Sequence, residues 1–424
     1  MERYKKLLEQ AGIKNWFIKN KIDSSVELFF IKKNLDMRRI KEVDNAEIAV
    51  FTDVEKDGEK KRGRADIRVN SSMTDREILT KIKEAEYAAS FATNKFFEFP
   101  KPTKSELKVQ DSDLNGLELS EIATKFADAA YSVDNDKDAF INSFELFVEE
   151  STVRMMSATG TDVAYKTRVV KGEFVTQCRK PQDVETYLDY EFDTLALDDM
   201  KDLVETSLKT SKDRARANAM PKSGKTDVII SGRYMEELMS FYADRANVSF
   251  IYPGYSNYKV GDNVQGEDVK GDKVNIKFLP LQPFNNEGIE MKEREFIKDG
   301  ELKLVHGNQR ISYYMGVEPI GTYEKVQIPA GKVSLKEMTD RPCLHVVNFS
   351  DFQMDALDGH FASEIRLAYY YDGKGNVTPV TGGSINGSIF DCQNDLTFSK
   401  EVQKLSKYVG PKACLFKNVM VSGE

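Results

Sequence analysis

The chain contains three histidines, His306, His345 and His360, so any site needing imidazole as a base or a ligand must use one of them. Cys343 and His345 stand two residues apart and share a face if their segment is a strand. With His360 and either Asp351 or Asp358 they approach a metal's ligand set, in which thiolate, imidazole and carboxylate surround a divalent cation. Their neighbours favour a plainer role. Leu344, Val346 and Val347 are apolar, and a histidine in a buried strand usually keeps one hydrogen bond and no metal. Lys222-Ser223-Gly224-Lys225-Thr226 ends like a phosphate-binding loop, but the motif's first glycine falls on Ala219 and the segment precedes a strand instead of following one. It reads as a linker. Thr381-Gly382-Gly383-Ser384-Ile385-Asn386-Gly387 places a serine two residues after Gly382, as a nucleophile elbow requires, yet the second glycine falls on Asn386. A glycine-rich turn is preferred. The run Lys60-Lys61-Arg62-Gly63-Arg64 abuts Asp57 and Glu59, which suits a solvated hairpin tip better than a docking site for an acidic partner.

Composition limits what these residues can serve. The chain has 424 residues, enough for two or three packing units, and its 40% hydrophobic and 31% charged residues match a globular protein with a substantial core. Lys and Arg number 61 against 69 Asp and Glu, a formal charge of −8 that repels a phosphate backbone, so nucleic acid is not expected as a partner. The four cysteines, Cys178, Cys343, Cys392 and Cys414, are widely spaced without CxxC, as in a protein with reduced thiols. No apolar run approaches the roughly 18–20 residues of a spanning helix, and the opening Met1-Glu2-Arg3-Tyr4-Lys5-Lys6 lacks the apolar stretch of a signal peptide. A cytoplasmic protein without a membrane partner is expected.

The elements that must hold any site follow from periodicity. A helix is predicted over residues 1–10 with Gly12 as its stop. Strands are predicted over 26–31, 47–52 and 65–69, with Asp57-Gly58 as a turn, and then a helix capped by Thr74 or Asp75, whose apolar positions run through Phe96 to Phe97. This unit recurs. Val26-Glu27-Leu28-Phe29-Phe30 is echoed by Phe144-Glu145-Leu146-Phe147-Val148, and Met37 by Met155 in the same register, which predicts an internal duplication. A helix over 119–131 separates the copies. Strands over 162–170 and 173–177 follow, and then a helix in which Asp198-Asp199-Met200-Lys201-Asp202-Leu203 plays the part of residues 75–79. Residues 218–225, with Pro221 and Gly224, form the linker. Beyond it come a strand over 226–230, a helix over 233–246 and a series of short strands. The expected class is therefore α+β: an N-terminal domain, 1–217, of strand meanders closed by long helices, and a C-terminal domain, 226–424, rich in antiparallel strands.

The second half resembles the TldD/PmbA family, peptidase-related proteins once described as modulators of DNA gyrase. Asn286-Glu287-Gly288-Ile289, followed by Arg294-Glu295-Phe296-Ile297-Lys298-Asp299-Gly300-Glu301-Leu302, is similar to the family's EGV stretch and the strand and turn after it. Asp358-Gly359-His360-Phe361-Ala362-Ser363 resembles its GDFS motif. Residues 371–380, ending in Pro379-Val380, and 382–389 resemble its strand pair and glycine turn. The N-terminal meander and helix also resemble the family's first domain.

Catalytic members of that family carry H-E-x-x-x-H on the helix after the strand that residues 228–230 resemble, where two histidines bind zinc and the glutamate activates water. Counting without gaps, those positions fall on Ser240, Phe241 and Arg245, and no histidine lies anywhere on 233–246. The family's cysteine ligand sits in a C-G-K context that neither Cys392 nor Cys414 shares. The resemblance thus implies the PmbA/TldE branch: a chain with no cofactor of its own and no catalytic residues, paired with a TldD-like zinc subunit or with itself as a dimer. The implied assembly acts on unfolded or extended peptides, which can hydrogen-bond through their main chain to strand edges. Two alternatives stay open, an autonomous metallopeptidase built on Cys343, His345 or His360, and a self-associating peptide-binding scaffold. Gyrase modulation finds no support in the charge balance.

Overall fold

In the computed structural model, which describes residues 1–91 and 93–424, three β-sheets carry helices on their faces in an α+β arrangement. Helix α1 (Glu2–Gln10) leads to the long strands β1 (Asn15–Ile31), β2 (Asn34–Lys56) and β3 (Glu59–Asn70) and to α2 (Asp75–Phe91). After β4 (Thr93–Lys95) and β5 (Lys104–Val109) the run recurs as α3 (Leu119–Ser132), β6 (Ala139–Ser157), β7 (Asp162–Cys178), β8 (Val184–Phe192) and α4 (Leu197–Arg216). The first sheet is ordered β4-β3-β2-β1-β6-β7, with β5 and β8 both on the outer side of β7.

The two copies meet at β1 and β6, and the residues that echo in sequence are also the seam. Val26 lies opposite Val148, Leu28 opposite Leu146 and Phe30 opposite Phe144. Because side chains alternate along a strand, these three pairs point to one face, where they pack with Ile122 and Phe126 of α3 and with Met200 and Val204 of α4. Burying each such aliphatic or aromatic side chain contributes about 1.5–3 kcal/mol. A separate core under α1 and α2 holds Leu8, Trp16, Ile18, Ile48, Ile78 and Ile82.

Several expected boundaries move. Met37 does not correspond to Met155: β1 turns back at Lys32, which adopts φ 53°, so Met37 lies on β2, whereas β6 continues through Met155 to Ser157. The predicted strands over 162–170 and 173–177 are the single strand β7, its Gly172 held against the Glu145 carbonyl. Helix α2 ends at Phe91, not Phe97, because residues 93–95 leave it to pair with 61–63 of β3. Phe96 therefore lies off the helix, with the Arg62 guanidinium 4.5 Å from its ring centre. That contact also corrects the hairpin-tip expectation at its centre. Arg62 is buried, its Nε and Nη2 donate to Asp53 at 2.6 and 2.9 Å, and its Nη1 donates to the Phe97 carbonyl at 2.7 Å. The paired guanidinium holds the Asp53 carboxyl below the usual carboxylate range.

The remaining strands belong to the other two sheets. After β9 (Gly224–Ser231), α5 (Tyr234–Arg245) and α6 (Val248–Ile251) come β10 (Ile276–Leu279), β11 (Arg294–Lys298), β12 (Glu301–Leu302), α7 (Gln309–Met315), β13 (Lys325–Gln327) and α8 (Leu335–Met338). Then follow β14 (Pro342–Phe349), β15 (Gln353–Met354), β16 (His360–Asp372), β17 (Val377–Val380), β18 (Ser384–Ser388), β19 (Thr397–Phe398), β20 (Val402–Lys404), β21 (Tyr408–Pro411) and β22 (Ala413–Ser422). The second sheet is ordered β12-β11-β10-β13-β21-β20. In the third, β14, β9, β22, β18 and β16 pair in sequence and β16 pairs again with β14, so five strands form a closed ring with no free edge between them. Val228, Ile230, Leu344, Val346, Phe361 and Phe416 belong to the core this ring shares with α5.

The first sheet touches the others through specific pairs. Phe284 packs with Val153, Met155, Val163 and Tyr165. Arg310 donates to Asn94 Oδ1 at 2.9 Å, and the Lys209 ammonium of α4 donates to the Tyr369 hydroxyl of β16 at 2.8 Å.

Candidate functional site

Strand β9 ends at Ser231, Gly232 turns the chain at φ 73°, and α5 begins. Only glycine adopts that left-handed conformation without strain. The helix buries Met235, Leu238, Met239, Phe241 and Tyr242, recurring at helical spacing against the ring of strands. The counted positions Ser240, Phe241 and Arg245 all lie on it. Ser240 turns its hydroxyl back to the Glu237 carbonyl at 2.9 Å, with Asp244 Oδ2 a second, longer acceptor at 3.4 Å. Phe241 is fully buried with its ring edge-on to Phe390 at 5.4 Å.

Arg245 is 5% exposed. Its Nη1 donates to the carbonyls of Ala356 and Leu357, each at 2.9 Å, and its Nη2 donates to Asn257 Oδ1 at 3.2 Å. The guanidinium carbon lies 4.8 Å from the Tyr258 ring centre and 5.0 Å from that of Phe390. Carbonyl dipoles and aromatic faces thus carry a buried positive charge that meets no carboxylate among the described residues. A neutral hydroxyl donating to its own helix, a phenyl ring and a fixed cation do not fit a divalent metal, because the first is a weak ligand at best, the second has no lone pair to give and the last repels it.

The other candidates lie on the outer face of the ring. Parallel pairing sets His345 of β14 beside Ile229 of β9 and brings the Ser231 hydroxyl within 2.8 Å of His345 Nε2. His345 forms part of the wall of an open cleft of about 730 Å³, with Leu335, Lys336, Asp340 and Tyr371. Burial and the nearby Lys412 charge push its pKa down to about 4, so the imidazole is neutral at pH 7. Cys343, two residues back on the same face, is buried against Met338, and burial pushes its thiol up to about 11. A thiol held protonated is a poor metal ligand.

His360 is not brought to them. It opens β16, and the antiparallel register sets His345 opposite Tyr369, nine residues further along that strand, or about 30 Å of extended chain. Its Nε2 pairs with Asn386 Oδ1 at 3.0 Å, and its backbone N–H donates to Asp358 Oδ1 at 2.9 Å. Asp351 faces Gln353 instead. Among the described residues no group of three or more His, Cys, Asp or Glu side chains is placed to share a metal ion.

His306, the third histidine, lies between α5 and β13. Its Nε2 donates to the Ala243 carbonyl at 2.8 Å, its Nδ1 accepts the Tyr323 N–H at 3.0 Å, and Phe278 packs 4.7 Å from its ring. Both nitrogens are satisfied in one neutral tautomer, and burial lowers the pKa to about 4. Sequence reasoning named neither Ser231 as a partner of His345 nor the cage around Arg245. A Ser-Gly at a strand end before a helix marks the first, but its partner stands 114 residues away. All four cysteines are free and buried. No described helix is long and apolar enough to cross a membrane.

Comparison with known proteins places this architecture. Residues 223–423 match the family model described as the PmbA/TldA metallopeptidase C-terminal domain. No curated protein sequence matches. Among solved structures, TldE from Thermococcus kodakarensis superposes with a TM-score of 0.79 at 16% identity, covering 99% of this chain and 100% of its own. A candidate modulator of DNA gyrase from Thermotoga maritima gives 0.78 at 16% identity, covering 99% of each chain. Another from Bacteroides thetaiotaomicron gives 0.78 at 17%, covering 100% of this chain and 98% of that one. At these identities the superpositions speak for the fold, which runs the length of the chain, while the sequence match covers the half that contains the ring of strands and α5. By that sequence match residues 223–423 are similar to the PmbA/TldA metallopeptidase C-terminal domain, carried within a fold shared from end to end with those structures.

Proposed function

We propose that this chain is a non-catalytic, TldE/PmbA-like subunit of a cytoplasmic metallopeptidase assembly, working beside a TldD-like subunit that holds the zinc and acting on unfolded or extended peptides. One observation carries the proposal: on α5, where catalytic members of the family place H-E-x-x-x-H, this chain has Ser240, Phe241 and a buried Arg245 bound to two carbonyls. The chain keeps the family's frame while its own helix is built around a cation. Hydrolysis then requires donors from a second polypeptide, and this subunit's part is to shape the chamber and present main-chain edges to a substrate.

The test is activity in separation and in combination. Purified alone, the chain should leave an unfolded substrate such as casein intact, with or without added zinc. Captured from its native cell, it should bring down a subunit containing H-E-x-x-x-H, and that mixture should digest the substrate until a chelator is added. Chelator-sensitive digestion by the isolated chain would refute the proposal.

A further inference from the structure

Several arginines of this chain grip a carboxylate with the edge of the guanidinium formed by Nε and Nη2. Arg62 holds Asp53 at 2.6 and 2.9 Å, Arg64 holds Asp66 at 2.9 and 2.8 Å, and Arg154 holds Asp162 at 3.0 Å from both nitrogens. That side-on fork suits a carboxylate or another small anion. Arg245 at the end of α5 uses the edge differently. Its Nη2 reaches Asn257 Oδ1 at 3.2 Å, and its Nε is buried without an acceptor among the described residues. Beside it stands a second unmet donor. The Tyr258 ring centre lies 4.8 Å from the guanidinium carbon, and the Tyr258 hydroxyl is also buried without a partner among the described residues. Arg245 is 5% exposed and Tyr258 7%. Burial pushes the Tyr258 hydroxyl up to about 12 against the pull of the Arg245 charge, so at pH 7 it is a donor and not a phenolate counterion. A buried donor left unmet is costly, the more so when it carries charge.

We propose that Arg245 and Tyr258 form a binding site for one small monovalent anion, such as chloride, held by the Arg245 Nε–H and the Tyr258 O–H. The donors define the ligand. Both give a proton, neither accepts one, and one of them is charged. A water accepts both bonds but brings two protons in need of acceptors and no compensating charge. The oxygens of Ala356, Leu357 and Asn257 already receive the other N–H groups of the guanidinium. The remaining walls are the rings of Phe241 and Phe390, whose centres lie 5.8 and 5.0 Å from the guanidinium carbon. A halide needs no acceptor, and it cancels the charge where a low dielectric makes the attraction strong. Because both donor atoms are sealed from solvent, an ion about the size of a water molecule fits better than a phosphate or the end of a peptide. The way in is short, since two residues of the cage, Leu357 and Phe390, are 50% and 39% exposed. Arg245 is also the position counted for the second zinc histidine, so this helix serves an anion where catalytic members hold a cation.

The experiment is thermal melting of the full-length chain at pH 7 while sodium gluconate is replaced stepwise by sodium chloride, with ionic strength held constant so that screening does not change. Wild type should melt higher in chloride, along a curve that saturates between about 1 and 100 mM. Tyr258→Phe keeps the ring against Arg245 and removes one donor, and it should raise the chloride concentration giving half the effect about tenfold. Arg245→Gln should lose the chloride dependence, whatever its own melting temperature. Wild-type crystals grown in sodium bromide should show an anomalous peak within hydrogen-bond reach of Arg245 Nε and the Tyr258 hydroxyl. Equal melting in chloride and gluconate, a chloride curve unmoved by Tyr258→Phe or persisting in Arg245→Gln, or a water on the two donors with bromide only elsewhere would overturn the inference. No substrate or second subunit enters the measurement, so its failure leaves the proposed partnership with a zinc subunit standing.

Discussion

The two buried histidines give the protein an acid sensitivity that can be calculated from the structure. His306 and His345 both have folded-state pKa values near 4, against 6.5 for an unperturbed imidazole. A base whose folded pKa is depressed contributes its full stabilisation above the unfolded value, and this is lost as pH falls towards the folded one, because the unfolded chain gains the proton first. The window is therefore from about pH 6.5 to pH 4. A shift of about 2.5 units costs about 3 kcal/mol per histidine by pH 4, a large share of the 5–15 kcal/mol typical of a domain. His306 is the cleaner test. Phe278, Tyr323 and the Ala243 carbonyl surround it, and neither nitrogen is free to take a proton without breaking a hydrogen bond. Urea unfolding of wild type and His306→Gln across pH 7 to 4 isolates its contribution, because the buried carboxylates common to both cancel in the difference. Whatever offset the substitution introduces at pH 7, the wild-type advantage should shrink by about 3 kcal/mol by pH 4. A difference that stays constant with pH, or a His306 imidazole resonance, assigned by its loss in His306→Gln, that titrates near 6.5, would refute the calculation.

Other expectations follow from single contacts. Arg245→Ala removes the donor for the Ala356 and Leu357 carbonyls and opens a hole between Tyr258 and Phe390, and should cost about 3–5 kcal/mol in chemical denaturation. Arg62→Lys keeps the charge but loses the fork on Asp53 and the flat face 4.0 Å from the Phe99 ring centre; it should lower stability by about 1–2 kcal/mol, seen as a lower melting temperature. Gly172→Ala would drive a methyl group to 2.0 Å from the Glu145 carbonyl oxygen, and it should destabilise by about 1–3 kcal/mol or prevent soluble expression.

What the sequence made legible was what local pattern controls. Helices α1, α3 and α5 fall within a residue or two of their predicted spans, because apolar spacing acts over one turn. The duplication was visible because alternation of Val26, Leu28 and Phe30 is imposed by the same core that imposes it on Phe144, Leu146 and Val148. Strand β5 was invisible, since Lys104–Val109 shows no alternation towards a core and exists only through pairing with β7. Arg62 was misread for a related reason. A basic run looks solvated until Phe96 and Phe99, more than thirty residues on, close over it. The empty ligand positions on α5 could be counted in advance. The carbonyl pair that holds Arg245 could not, because Ala356 and Leu357 lie over a hundred residues further along.

The closed ring of strands has a consequence for synthesis. Gly224 of β9 pairs with Val421 of β22, so the first strand of that barrel waits for almost the last. On a ribosome the duplicated meander is complete and able to collapse while β9 still has a bare flank, and the barrel seals only after nearly two hundred more residues have emerged. A nascent chain halted before Ala413 would expose β9 and β18 together, which makes the final ten-residue strand the step on which escape from aggregation depends.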